Sequence, residues 1–436
     1  MERYPHLKQH DPEIYALIQQ QAEFESTTLK MIASESYASY SVLEAAGSTL
    51  TNKYAEGYPN ARYYEGNEYV DQIESLAVER AKTLFGAEHA NVQPYSGSPA
   101  NQAVYLTLLN VGDKLMGMPV TDGGHLTHGW HVNFSGINYK QIPYGPSPAS
   151  GRFDMNHIRE TALRERPKMI WVGATAYPYI IEYKDFRSIA DEVGAYLVAD
   201  IAHINSLIIA GLHPSPVAYC DVITSTSHKM LRGPRSGFLL SKREDRLQSK
   251  YCPNSKLTLA QRLDRSVFPG LQGGPHIATI AAMAAAFKEA QTPEFKNYAA
   301  QIIKNAKTLA DTLLDKGYTL SGGGTDTHLL LLDFRKAAFT GKDAAKALAQ
   351  SGIIANFNMV PGDQRSPFIT SGVRLGTPSL TAMGMKEDDM HKVADWIDQV
   401  CRNIENIGNV APNIRSEIAE FCKQFTVPGI TPPGVG

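Results

Sequence analysis

The sequence predicts an α/β protein, with a mostly parallel sheet in a large domain followed by a smaller α+β domain. Three observations carry this expectation. Residues 168–173, 196–200, 221–226 and 237–241 are short, nearly continuous apolar runs, as expected of strands covered on both faces. Helical patterns such as 184–193 separate some of them, the alternation that builds a parallel sheet. A length of 436 residues accommodates two domains in one subunit. The expected divisions are an N-terminal arm and helix over 1–35, a large domain over 36–285 and a small domain over 286–436.

Taken in order, the chain begins with a polar arm and a helical pattern over 11–31, expected to pack on a partner subunit or on its own domain, with Ser34 just beyond it. Residues 52–64 mix tyrosines, Glu56 and turn formers without a helix or strand period, which on residues alone reads as surface or interface. Residues 86–101 read as strand, glycine turn and a helix beginning near Pro99 with Ser98 as its cap. There Ser96, Gly97 and Ser98 can turn backbone N–H groups towards an anion. After a strand over 114–120, His125 and His128 stand three apart with no third ligand spaced to complete a metal site, so no metal is expected and a flat, stacking role suits His125.

Asp200 and Lys229 fall at the ends of predicted strands, where ligands bind in such sheets. The segment 242–265 is basic and polar, and reads as a surface insertion or as a loop at the entrance of a site. Gly270, Gly273 and Gly274 make a flexible turn. A long helical region over 278–314 leads to the small domain: a strand over 328–334, a helix over 341–350, strands near Ile353 and over 373–375, and a closing helix over 386–407. Arg374 lies between apolar residues, and a buried guanidinium requires an anion, which its fork matches bidentately when that anion is a carboxylate.

Composition excludes several classes. Lys plus Arg is 42 and Asp plus Glu is 44, a net charge of −2, which argues against phosphate-neutralising nucleic-acid binding. Apolar runs are too short to span a membrane, and no apolar or Arg-rich leader opens the chain. The four cysteines lack CxxC spacing, so a reducing compartment, the cytoplasm, is expected.

The chemistry begins at Lys229, in the stretch STSHKMLRGPR of residues 225–235. Stripping water from an ammonium favours the neutral amine, a nucleophile able to condense with an aldehyde cofactor, of which pyridoxal phosphate is the common one. That cofactor needs a carboxylate to keep its ring nitrogen protonated, and Asp200 ends a buried strand well before the lysine.

The lysine stretch, DIAH at 200–203, NKYAEGYP at 52–59, GGHLTHG at 123–129 and VFPGLQGG at 267–274 together resemble the serine hydroxymethyltransferase family, collinearly from about residue 20 to about residue 400. The resemblance implies a fold-type I pyridoxal-phosphate enzyme with a seven-stranded sheet, and retro-aldol cleavage of a serine-type amino acid with the one-carbon unit passed to tetrahydrofolate. It implies a homodimer, or a tetramer, in which the 52–64 loop reaches into the neighbouring active site. Lys229, Glu56, Tyr54, Tyr64 and His228 become the catalytic set. Ser96, Gly97, Ser98, His125, Thr175, Asp200, His203, Thr226, Lys229 and Gly274 become the cofactor set, His203 orienting the ring hydroxyl. Ser34, Tyr64 and Arg374 are assigned to the amino acid, and Glu56, Tyr63, Leu126 and Asn358 to folate. Arg235 joins the substrate set and is expected to pair with Tyr54.

Several residues depart from the family pattern: Tyr95 for His, Pro99 for Gln, Glu65 for Gly, Asn205-Ser206 for Ala-Gly, Ser227 for Thr and Met230 for Thr or Ser. They leave open a hydroxymethyltransferase of α-methyl-L-serine and D-alanine, or a folate-independent aldolase of threonine or α-methylserine, with Ser227 as the change that makes room at Cα.

Overall fold

In the computed structural model, which describes residues 4–430, seven strands form the large sheet. These are β1 (His89–Asn91), β2 (Lys114–Gly117), β3 (Lys140–Pro143), β4 (Met169–Val172), β5 (Tyr196–Asp200), β6 (Val222–Thr226) and β7 (Gly237–Ser241). Their order is β1-β7-β6-β5-β4-β2-β3. Only β7 runs against its neighbours, β1 and β6, and the remaining ladders are parallel. Every residue of β4, β6 and β7 is buried, which explains their unbroken apolar runs. Parallel pairing sets Asp200 opposite Thr224, so the ends of β5 and β6 open on one edge of the sheet.

The second sheet contains β8 (Leu329–Asp333), β9 (Asn356–Asn358) and β10 (Gly372–Gly376), antiparallel with β10 central. Its core joins Leu330, Leu348, Val373, Trp396 and Ile418. The helix over 341–350 forms as expected, as Gly341–Gln350, whereas the closing helix stops at Arg402 and a further one, Ile407–Cys422, follows.

Other expected elements differ as well. The polar arm contains a short helix, Pro5–His10, and the helical pattern over 11–31 forms only as Pro12–Ser26, with Asp11 capping it through the Ile14 N–H. It ends at Ser26 because the hydroxyls of Thr27 and Thr28 bond back to the carbonyls of Glu23 and Phe24, competing with the helix ladder. The chain then extends, and Leu29–Lys30 pairs in parallel with Ile353–Ile354, burying Leu29, Met31 and Tyr37 in the core of the small sheet. The region 278–314 is two helices, Ile277–Glu289 and Pro293–Asp315, because Pro293 cannot continue the first and Thr292 caps the second.

The 242–265 segment is not an entrance loop. It folds into Gln248–Tyr251 and the start of Leu259–Val267, whose Leu259, Leu263 and Val267 pack into the cluster that buries the helix Gly97–Leu108. Asp245 accepts the Tyr196 hydroxyl at 2.9 Å and pairs with Arg262, and Arg246 pairs with Asp221 at 2.7 Å. Arg246 and Arg262 thus help to brace β5 through Asp221, which accepts the Leu197 N–H, and Asp245. Among the described residues no helix is long and apolar enough to cross a membrane.

Candidate active site

A cleft of about 470 Å³ opens where β5 and β6 end, with the small sheet contributing part of its wall. Lys229 enters from the loop between β6 and β7, which is tied by Ser227 N–H to Ser236 O at 3.2 Å and Gly233 N–H to Ser227 O at 2.7 Å. Arg232 holds the turn with φ of 62° and donates to the Tyr37 carbonyl at 3.0 Å. Burial lowers the Lys229 ammonium to about 8; Arg374 and Arg235 push the same way, while Asp200 opposes them.

Burial alone would raise the Asp200 carboxyl, but the hydrogen bond from His128, with His125 and Lys229 nearby, holds it well below the usual carboxylate range. Its Oδ2 accepts from Asn101 Nδ2 and lies 3.1 Å from His128 Nε2, and its Oδ1 accepts the Ala202 N–H. His128 Nδ1 accepts the His125 N–H at 3.4 Å, which places the His128 proton on Nε2, facing Asp200. His128 also stacks on Trp171 with ring centroids 5.3 Å apart. Burial holds the His125 imidazole neutral, at about 4.

This geometry corrects the reasoning from spacing. A third ligating group does stand beside His125 and His128: it is Asp200, with all ligand atoms within 4.8 Å of one another. The carboxylate is engaged by N–H donors, an arrangement suited to a fixed anion. Asn101 and His128 were missed as functional residues; the three-residue spacing of the histidines was the available signal, and only the 3₁₀ turn Leu126–His128 aims the second one at Asp200.

The helix at the anion cradle begins at Gly97, with Ser96, not Ser98, at its cap. A Cβ on Gly97 would stand 2.8 Å from Thr226 Cγ2, so only glycine lets this N-terminus sit against the end of β6. Ser96, Gly97, Ser98, Thr226, His203 and His228 all line the cleft. Thr226 Oγ1 and His228 Nδ1 are buried without a hydrogen-bond partner among the described residues, and burial keeps His228 neutral, at about 3. A helix N-terminus with small residues, an orphaned hydroxyl, a buried lysine and an ionised carboxylate fit a phosphorylated pyridine aldehyde.

Ser34, Leu126, Thr175, Arg235, Asn358 and Arg374 complete the predicted residues that line the cleft. Arg374, central in its sheet, donates through Nε to Asn356 Oδ1 at 3.0 Å and through Nη1 to the Thr175 carbonyl at 2.7 Å. The Thr175 hydroxyl donates to Gly123 O and Gly124 O, both at 3.1 Å. No carboxylate among the described residues pairs with Arg374, and burial lowers it to about 10, a setting that suits an incoming anion.

The other five predicted residues lie outside this cleft, in a cluster of their own. Tyr54, Tyr63 and Tyr64 are 60%, 71% and 47% exposed. Tyr64 donates to Glu56 Oε2 at 3.1 Å, which raises its phenol, and packs edge-on against Tyr54. A Cβ on Gly274 would stand 3.3 Å from the Tyr54 ring, and the Gly274 carbonyl accepts the Tyr95 hydroxyl at 2.7 Å. The expected pairing of Arg235 with Tyr54 is therefore not made within one chain.

None of the seven departures from the family pattern lines the cleft. Ser227 is turned away, its hydroxyl donating to Pro234 O, so its missing methyl opens no space at the substrate. Asn205 donates to Ser225 Oγ at 3.0 Å and Thr226 O at 2.8 Å, and Met230 is core.

A family profile described as Serine hydroxymethyltransferase matches residues 7–397. The chain is 58% identical to Serine hydroxymethyltransferase 2 of Mesorhizobium japonicum over 425 residues, 98% of this chain and 97% of the relative. It is 50% identical to the Serine hydroxymethyltransferase of Sorangium cellulosum, over 97% of both chains, and 50% identical to that of Acidothermus cellulolyticus, over 96% of both. The match along nearly the whole chain, on a cleft that holds a buried lysine, an ionised carboxylate and an arginine without a carboxylate partner, makes this protein a member of the serine hydroxymethyltransferase family.

Proposed function

We propose that this chain transfers the hydroxymethyl group of L-serine to tetrahydrofolate and leaves glycine, with pyridoxal 5'-phosphate in the cleft. The observation that carries this reading is the convergence of Lys229, Asp200 and the unpaired Arg374 on one cavity. When bound, the cofactor supplies the electron sink for Cα–Cβ cleavage. Lys229 offers a largely desolvated amine for carbonyl exchange. Asp200 remains anionic and holds a proton on the ring nitrogen, and the neutral His125 imidazole offers a flat face to the ring. Backbone N–H groups at Ser96, Gly97 and Ser98 receive phosphate without a cation. Arg374, braced by Asn356 and Thr175, takes the amino-acid carboxylate beside Ser34, which orients the breaking bond.

Glu56, Tyr54, Tyr63, Tyr64 and Gly274 act in the cleft of a second subunit, a homodimeric arrangement supported by the exposure of the three tyrosines and by the position of all five outside their own cleft. Glu56 handles the proton of the hydroxymethyl group. Arg235 meets Tyr54 only across subunits, and Leu126 and Asn358 with Glu56 and Tyr63 receive folate. Its four free cysteines suit the reducing cytoplasm.

The test is methylene-tetrahydrofolate formation from L-serine by the cofactor-loaded enzyme. Turnover that requires α-methyl-L-serine, or that is equally fast without folate, overturns the assignment. Mixing Lys229→Ala with Glu56→Gln protein tests the shared site: hybrids regain activity if each cleft draws on both chains, and stay inactive if it does not.

A further inference from the structure

His203, in the loop after β5, and His328, just before β8, meet where the two domains join. His203 Nδ1 and His328 Nε2 are 3.3 Å apart, with ring centroids 5.6 Å apart and planes inclined by 27°. Both rings are buried. A hydrogen bond between two neutral imidazoles needs one donor and one acceptor, so the proton has two possible placements.

The rest of the pair decides between them. His328 Nδ1 has no hydrogen-bond partner among the described residues. A buried N–H without an acceptor is rarer than a bare acceptor nitrogen, so the His328 proton belongs on Nε2, where it has one. His203 Nδ1 then accepts, and the proton of His203 sits on Nε2, the nitrogen left for the cleft that the residue lines. Burial, with Lys229 and Arg374 adding to it, keeps His203 well below its ordinary range; burial and the same cations keep His328 at about 3. Neither ring takes a second proton at neutral pH.

We propose that His328 is a positioning residue that fixes the tautomer of His203, making His203 an obligate N–H donor into the cleft. The identity of the acceptor, an oxygen on the cofactor ring, rests on the pyridoxal-phosphate reading above; the tautomer does not. The arrangement also ties the donor to the anion anchor. The His328 carbonyl accepts the Thr377 N–H at 3.1 Å, and β8 sets Leu331 opposite Arg374 on β10. The ring that orients His203 is thus carried one residue ahead of β8 and the guanidinium on its neighbour β10, so a displacement of that small sheet would disturb both together.

The test uses isotopically labelled histidine and reads the ring nitrogens of His203 by NMR in cofactor-free enzyme, assigned by loss of its signals in His203→Asn. The expected result is protonation at Nε2 alone in the parent protein and a mixture of tautomers in His328→Phe. In the cofactor-loaded enzyme, the pH midpoint of the visible absorption band in His328→Phe shifts by roughly one unit, a tenfold change in the equilibrium. His328→Gln, whose amide can donate to Nδ1, restores both readouts. Protonation of His203 at Nδ1 or at both nitrogens in the parent protein overturns the proposal whether or not His328→Phe folds. An unshifted tautomer in a folded His328→Phe protein overturns it as well. Absence of any visible band after addition of pyridoxal phosphate would count against the cofactor reading instead, leaving the tautomer result to stand by itself.

Discussion

The amine of Lys229 is the group whose chemistry the surrounding residues tune most directly, and its titration can be read without turnover. With a pKa lowered from 10.5 to about 8, roughly one lysine in ten is neutral at pH 7, against about one in three thousand for an ordinary side chain, on the order of 300-fold more nucleophile. The rate at which cofactor-free enzyme condenses with pyridoxal phosphate, followed by absorbance across a pH series, should rise to a midpoint near 8. Arg235→Gln removes a cation that lowers the lysine and should move that midpoint up. Asp200→Asn removes the anion that raises it and should move it down. A midpoint near the ordinary lysine value, or displacements of the opposite sign, would refute the electrostatic argument. The same shift carries a stability consequence. Between pH 8 and 10.5 the unfolded chain holds a proton that the folded chain has lost, so cofactor-free enzyme gains stability as pH rises through that window, by about 3 kcal/mol in total.

Arg374→Lys keeps the charge but loses the planar fork braced by Asn356 and Thr175; the KM for L-serine should rise roughly tenfold or more, with a smaller fall in kcat. Equal KM values would remove Arg374 from carboxylate binding. Leu263→Ala empties a fully buried site beneath the sheet, and chemical denaturation should show a loss of about 2–5 kcal/mol, with activity per folded molecule unchanged. A gating role for this segment would instead appear as altered KM at full stability. His125, His203, His228 and His328 are all held below the ordinary histidine value by burial. Between pH 6.5 and about 4 the unfolded chain therefore binds protons the folded chain does not, and stability should fall on acidification by up to about 1.4 kcal/mol per pH unit for each ring. A flat acid limb in cofactor-free enzyme would contradict the burial assigned to these rings.

What the chain discloses before folding follows the range of the physics involved. Strands β4 to β7 were legible because burial on both faces leaves a continuous apolar run, and Asp200 and Lys229 because each ends such a run. The helix break at Pro293 was local and readable in principle, although the helical patterns on its two sides read as one long region over 278–314. Asp200 as the partner of His128, Asn205 beneath the lysine strand, and the pairing of Leu29–Lys30 with Ile353–Ile354 were not legible, since each depends on residues brought together from distant positions. Ser227 shows the reverse error. Adjacency to His228 and Lys229 suggested that it faced the substrate, whereas the turn directs its hydroxyl to Pro234.

The short ladder joining Leu29 to Ile353 spans 324 residues of sequence, and its effect reaches into the order in which the protein is made. At about 5–20 residues per second, the ribosome needs tens of seconds between releasing the first strand and supplying its mate. During that interval Leu29, Met31 and Tyr37, all later fully enclosed, have no native surroundings. The large sheet has all seven strands once Ser241 has been synthesised, while the leading segment must wait as an adhesive, apolar tail. Completion of the core around the small sheet is thus a late, long-range closure, and the nascent N-terminal segment is where a chaperone would act first on this chain.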